Sequence, residues 1–265
     1  MLRRSPQLSL DLQPPPRWGG RRAGAGRKPG PVRPDPHRRR PALGRTTPCH
    51  VTMKVRPGIP SLRSARFVRA FTATLRGGCE RGRFRVAHWS VQRDHLHLIV
   101  EASSAFDLAC GMKSVTVRVV RAVQRVFGLG RRGTVLRDRF HLHVLRSPRE
   151  VRRALAYVLL NARRHAAQRG VALARMAARV DGASSGGWFD GWTRGTLLAN
   201  AAAVCAAAGS GLARSGGAPP VARARSWLLA IGWRRAGLID VSEVPGGAVG
   251  LTVRHGGGPR LRRSP

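Results

Sequence analysis

Acidic residues are scarce in this chain. Twelve Asp and Glu stand against forty-nine Lys and Arg over 265 residues, a formal charge of +37. So one-sided a surface repels itself when compact and exceeds what solubility needs, so the natural partner is a polyanion, with nucleic acid first. Lysine is nearly absent too, at Lys28, Lys54 and Lys113 only. With abundant Ala, Gly and Pro, that preference for Arg reflects a GC-rich coding bias as well as guanidinium chemistry. The four cysteines, Cys49, Cys79, Cys110 and Cys205, form no C-x-x-C pair. That excludes a zinc ribbon and leaves inert thiols, suited to a reducing cytoplasm. No long hydrophobic run occurs: the stretch 197–209 is too short to span a bilayer and contains Asn200. No secretory signal opens the chain either. The expectation is a soluble, unexported bacterial protein, cytoplasmic and associated with the nucleoid. Rarest of all is tyrosine, present once, as Tyr157.

What is present divides into three stretches. Residues 1 to about 48 are rich in Arg, Pro and Gly and lack apolar periodicity, the composition of a disordered basic arm. Its clusters Arg21-Arg22, Arg27-Lys28 and Arg38-Arg39-Arg40 are dense enough to follow a phosphate backbone. Residues 49–170 carry the regular patterns, and 171–265 form a smaller, partly helical C-terminal extension.

Within 49–170 an alternating strand from His50 to Arg56 stops at Pro57-Gly58. Ser61 or Ser64 caps a helix carrying Phe67, Val68, Phe71 and Leu75 on one stripe, ended by Gly77-Gly78. Runs from Phe84 to Gln92 and from Leu96 to Glu101 flank Arg93-Asp94 as a hairpin. A second helix places Leu108, Met112, Val115, Val119, Ala122, Val123 and Val126 together. Phe140 to Leu145 reads as a fourth strand, and Ser147-Pro148-Arg149-Glu150 as the start of a helix reaching about Gln168 without a break. The order βαββαβα predicts an α+β domain: a ferredoxin-like antiparallel sheet backed by helices.

Three motifs could carry chemistry. Tyr157 and Asn161, four apart on the last helix, share one face. Alone, that pair reads as ordinary packing. His95-Leu96-His97 opens a strand, where residues two apart point to one side and can bind one ion. His141-Leu142-His143 offers the same spacing in the fourth strand. Spacing cannot choose between the pairs; the first precedes the apolar run Leu98-Ile99-Val100, suited to a central strand. Arg137 and Arg139 lie just ahead of the fourth strand, as candidate partners for a phosphate or a phenolate.

His95-Leu96-His97 followed by helix-borne Tyr157 and Asn161 resembles the single-tyrosine HUH transposases, in particular the REP-associated tyrosine transposases of the insertion sequence 200/605 type. The strand His50-Val51-Thr52, the segment from Gly133 to His141, and Pro148-Arg149-Glu150 leading to Tyr157 resemble that family too. The common form has Pro after the Asn, where this chain has Ala162. The resemblance implies a divalent ion, Mg²⁺ or Mn²⁺, on His95, His97 and Asn161, with Tyr157 attacking a DNA phosphate to give a 5′-phosphotyrosine. It also implies single-stranded or hairpin DNA as partner and a monomer or homodimer as assembly. Two competing readings share the charge: a basic nucleic-acid-binding protein without catalysis, and a metal-dependent nuclease using water.

Overall fold

The computed structural model describes residues 42–44, 46–130, 134–171, 179–200 and 218–246. The chain divides into Met1–His37 and Arg38–Pro265. The first unit lies outside the described residues, as do Arg27, Lys28, Arg38, Arg39 and Arg40.

Five strands make one antiparallel sheet in the order β2-β3-β4-β1-β5. They are β1 (Thr47–Lys54), β2 (Glu80–Arg81), β3 (Phe84–Val91), β4 (His95–Ala102) and β5 (His141–Val144). Helices α1 (Ala65–Arg76) and α2 (Ala105–Phe127) lie between strands, and α3 (Pro148–Leu159) and α4 (Asn161–Gln168) follow β5. The α+β expectation holds, with β2 as an addition. It is a two-residue pairing of Glu80 with Arg85 and Arg81 with Phe84, too short to leave a periodicity signal.

Alternation along the strands separates two cores. Cys49, Val51 and Met53 of β1 and Leu96, Leu98 and Val100 of β4 face α1 and α2, whose stripes bury Phe67, Phe71, Met112 and Val119. Gly111 allows α2 that close, since a Cβ there would come within 2.0 Å of the Phe84 ring. Ser64 and Ser104 cap α1 and α2 through hydroxyls accepting from Phe67 and Asp107 N–H. The opposite face of the sheet presents His50 and Thr52 of β1, His97 and Ile99 of β4, and His141 and His143 of β5. Onto it packs α3, begun by a complete capping box between Ser147 and Glu150 with Pro148 in the first turn.

The helix that follows is not continuous. Leu160, at φ −109° and ψ 16°, separates α3 from α4. Its carbonyl accepts from the N–H groups of both Arg163 and Arg164. Proline is therefore not needed for the break, and the expected single helix to Gln168 is corrected to two.

Residues 179–200 and 218–246 close the second core. Phe189, Trp192, Leu229, Trp233, Ile239 and Val241 pack with Val151, Leu155 and Val158 of α3. In this extension, expected to be partly helical, the stretch 222–237 contains a short helix, Trp227–Ala230, and a 3-10 turn, Gly232–Ala236. Its anchor is Glu101, fully buried, which accepts from Arg225 N–H at 2.8 Å, Ser226 N–H at 2.9 Å and the Ser226 hydroxyl at 2.5 Å. The buried Arg85 guanidinium lies 3.7 Å from the same carboxylate. On the other side of α3, Arg152 grips Glu243 at 2.7 and 2.6 Å and donates to the Gly237 and Leu238 carbonyls.

Candidate active site

The site forms where α3 crosses β4 and β1. β4 is the middle strand, and His97 pairs there with Thr52 while His95 pairs with Lys54. The ring of Tyr157 meets His97 edge-on, with centroids 5.0 Å apart and planes at 78°. His50 touches both: its centroid lies 5.1 Å from that of His97 and 5.6 Å from that of Tyr157. His95 stands 4.7 Å from His97, and His165 of α4 stands 6.0 Å from His95.

Each imidazole of the first pair is tied back through Nδ1. His95 Nδ1 bonds the Asp94 carboxylate at 2.7 Å, and Asp94 also meets Lys54 at 3.1 Å. Burial alone would raise the Asp94 carboxyl, but the bonds from His95 and Lys54 outweigh it and hold it below the usual range. His97 Nδ1 lies 3.1 Å from His50 Nε2 and 3.1 Å from Thr52 Oγ1. Burial, reinforced by His50 and His95, holds His97 well below the ordinary imidazole value. Burial, then the neighbouring His143 and His141, takes His50 down to about 3. At neutral pH both rings are uncharged, the state in which an imidazole nitrogen can bind a cation.

Three side chains on β4 and α4 carry buried polar atoms without a hydrogen-bond partner: His97 at Nε2, Asn161 at both amide atoms, and Arg163 at Nε and Nη1. Asn161 has no exposure and is the first residue of α4, directly after the Leu160 break. Orphaned buried polar atoms are costly and mark sites that await something. An imidazole lone pair and an amide oxygen suit a hard or borderline divalent cation. Among the described residues no three His, Cys, Asp or Glu side chains form a cation-holding group, so the amide, water and substrate oxygens would complete the shell.

The cation on Tyr157 is one that sequence reasoning missed. Arg164 Nη1 donates to the Tyr157 hydroxyl at 3.3 Å, and its guanidinium carbon lies 5.0 Å from the ring centroid. Arg164 is seven residues beyond Tyr157, but the Leu160 break lies between them, so continuous helical spacing did not place it. Arg137 and Arg139 instead stand exposed ahead of β5. Arg137 N–H donates to the Lys54 carbonyl, which puts it at the His95 end of β1. His50 was missed because its place depends on strand pairing. The second pair, His141 and His143, sits on edge strand β5, opposite Thr52 and His50, two strands from the first pair with β1 between them.

No protein-family model matches the chain, and no curated protein does. Among solved structures it is similar to one described as "Structure of the REP associates tyrosine transposase bound to a REP hairpin". Identity is 16%, the match covers 52% of this chain and 76% of that one, and the TM-score is 0.38. No helix among the described residues is long and apolar enough to cross a membrane.

Proposed function

We infer that the protein is a single-strand DNA endonuclease and strand transferase of the single-tyrosine HUH kind, with Tyr157 as nucleophile. The observation that carries this reading is the contact of the chain's one tyrosine with neutral His97 on the middle strand, under a guanidinium that donates to its oxygen. A divalent cation held by His95, His97 and the Asn161 amide oxygen, Mg²⁺ or Mn²⁺, would polarise the scissile phosphate and offset charge on its oxygens.

The chain's own groups supply the rest. Arg164 favours negative charge on the Tyr157 oxygen as that oxygen gives up its proton and attacks phosphorus. The Oη–P bond forms, the P–O3′ bond breaks and the leaving 3′-oxygen takes a proton, leaving a 5′-phosphotyrosine and a free 3′-hydroxyl. One phosphodiester replaces another, so attack by a second 3′-hydroxyl rejoins strands and regenerates the phenol without a nucleotide cofactor. Hairpin-forming repeats are the proposed substrate. Arg137 and Arg139 beside the site, and Arg27, Lys28, Arg38, Arg39 and Arg40 of the arm, would neutralise phosphates.

The test uses the full chain, Mn²⁺ and a pool of 3′-labelled single-stranded hairpin oligonucleotides on a denaturing gel. A label that migrates with the protein supports the reading. Cleavage without such an adduct points to a water-using nuclease, and neither product together with a mobility shift on a parallel native gel points to a binding protein. Tyr157→Phe keeps the ring and removes the oxygen, so it is expected to bind DNA and lose the adduct altogether.

A further inference from the structure

His50 touches both Tyr157 and His97 yet has no part in the chemistry above. An uncharged imidazole carries one proton on one of two nitrogens, and the choice decides what His97 can do. Its Nε2 is buried without a partner, so all its hydrogen bonding runs through Nδ1. With the proton on Nδ1, the Nε2 lone pair is free for a cation. With the proton on Nε2, an unpartnered N–H fills that place and no cation can bind there.

The Nδ1 proton needs an acceptor, and two atoms stand at 3.1 Å: His50 Nε2 and Thr52 Oγ1. A hydroxyl donates as readily as it accepts, so Thr52 alone would tolerate either tautomer. His95 solves the same problem with the Asp94 carboxylate. A carboxylate in the place of His50 would lie against the Tyr157 ring and repel both the incoming phosphate and the developing phenolate. A neutral imidazole with its Nε2 as the lone pair orients His97 without that charge.

We propose that His50 is a positioning residue: its Nε2 accepts the Nδ1 proton of His97 and so presents His97 Nε2, as a lone pair, to the divalent cation. This rests on the reading given under Proposed function, but the tautomer is measurable without metal or DNA. Outer partners of this kind typically change metal affinity by about 10- to 100-fold when removed.

The experiment is proton–nitrogen correlation NMR of the histidine side chains in the metal-free full chain, with His97→Gln to assign the signal. Mn²⁺ titration calorimetry on the same samples follows. In the wild type, His97 is expected as the Nδ1–H tautomer. His50→Phe keeps a ring against Tyr157 and removes the acceptor; it is expected to mix the tautomers of His97 and weaken Mn²⁺ binding by about 10-fold or more. His50→Gln, whose amide oxygen can accept, is expected to recover most of both. A wild-type His97 protonated at Nε2 overturns the proposal on its own, even if neither variant folds. So does a folded His50→Phe with unchanged tautomer and affinity, which would leave His50 as packing. If the wild type takes up no Mn²⁺, the metal reading fails, and the tautomer still decides the role of His50.

Discussion

Asn161 lets the cost of the site be measured. Its side chain is wholly buried and neither amide atom has a partner. Leaving such a group unsatisfied costs about 1–3 kcal/mol by mutational measures. Asn161→Leu keeps the branching at Cγ and removes the polar atoms, so the metal-free variant should be more stable than the wild type by about 1 kcal/mol or more, after allowing for overpacking by the larger side chain. For a chain this size that is a rise in Tm of about 2–4 °C. Differential scanning calorimetry with chelator and then with Mn²⁺ tests both halves. Mn²⁺ should raise the wild-type Tm by mass action and raise that of the variant much less. Cleavage should be lost in the same protein that has gained stability. A metal-free variant less stable than the wild type by 1 kcal/mol or more would show that the amide has structural partners, and the inference drawn from its isolation would fail.

Three further outcomes are expected. His95→Ala and His97→Ala should abolish metal-dependent cleavage, whereas His141→Ala and His143→Ala, altered on edge strand β5, should retain substantial activity; the reverse pattern in a single-turnover assay would move the metal site. Acid should destabilise the fold early: burial takes His50 down to about 3 and His88 down to about 4. Both native values lie below the unfolded value, so the unfolded state binds more protons, and stability, complete above about pH 6.5, falls as pH drops by up to about 1.4 kcal/mol per unit for each ring. Partial solvent contact of both rings lessens the slope, but urea midpoints that stay flat from pH 7 to 5 would refute it. Glu101→Ala should cost about 3 kcal/mol, the low end for breaking a buried pair, because Arg85 keeps Glu80 at 3.1 Å. Denaturant titration measures this, and a loss under 1 kcal/mol would mean the anchor is dispensable.

The sheet and its first core were legible because their signals are local. Alternation, the Ser64 cap, the Gly77-Gly78 stop and the Ser147 capping box each lie within a few residues of what they control. Spacing put His95 with His97 and Tyr157 with Asn161 on common faces, but it left His141 and His143 equally eligible and the tyrosine as ordinary packing, so the choice of His95, His97 and Tyr157 rested on the resemblance to the HUH transposases. What could not be read depends on partners distant in sequence. His50 acquires its role by pairing with Ile99 and His143. The Leu160 break has no Pro or Gly to announce it, and it redirects Asn161 and Arg164 together. The extension looked appended because its periodicity is short and irregular, and only contact with α3 shows that its apolar residues complete a core.

The Glu101 anchor also sets an order of events in synthesis. The residues of the first core, from Cys49 to Val135, lie mostly within one contiguous stretch, and their contacts can form as soon as that stretch has emerged. Glu101 meets Arg225 and Ser226 across 124 and 125 residues, a loop whose closure must wait for the last quarter of the chain. Until then Arg85 and Glu101 face each other beneath a missing roof, and α3 lacks the side of its packing that Trp233 and Ile239 supply. The helix that carries Tyr157 is thus the last part of the sheet assembly to be held firmly. A truncated chain that ends before Ser226 keeps His95, His97, Tyr157 and Asn161 but lacks the side of the α3 packing that Trp233 and Ile239 supply, so under the proposed function it should cut strands more slowly than the full chain.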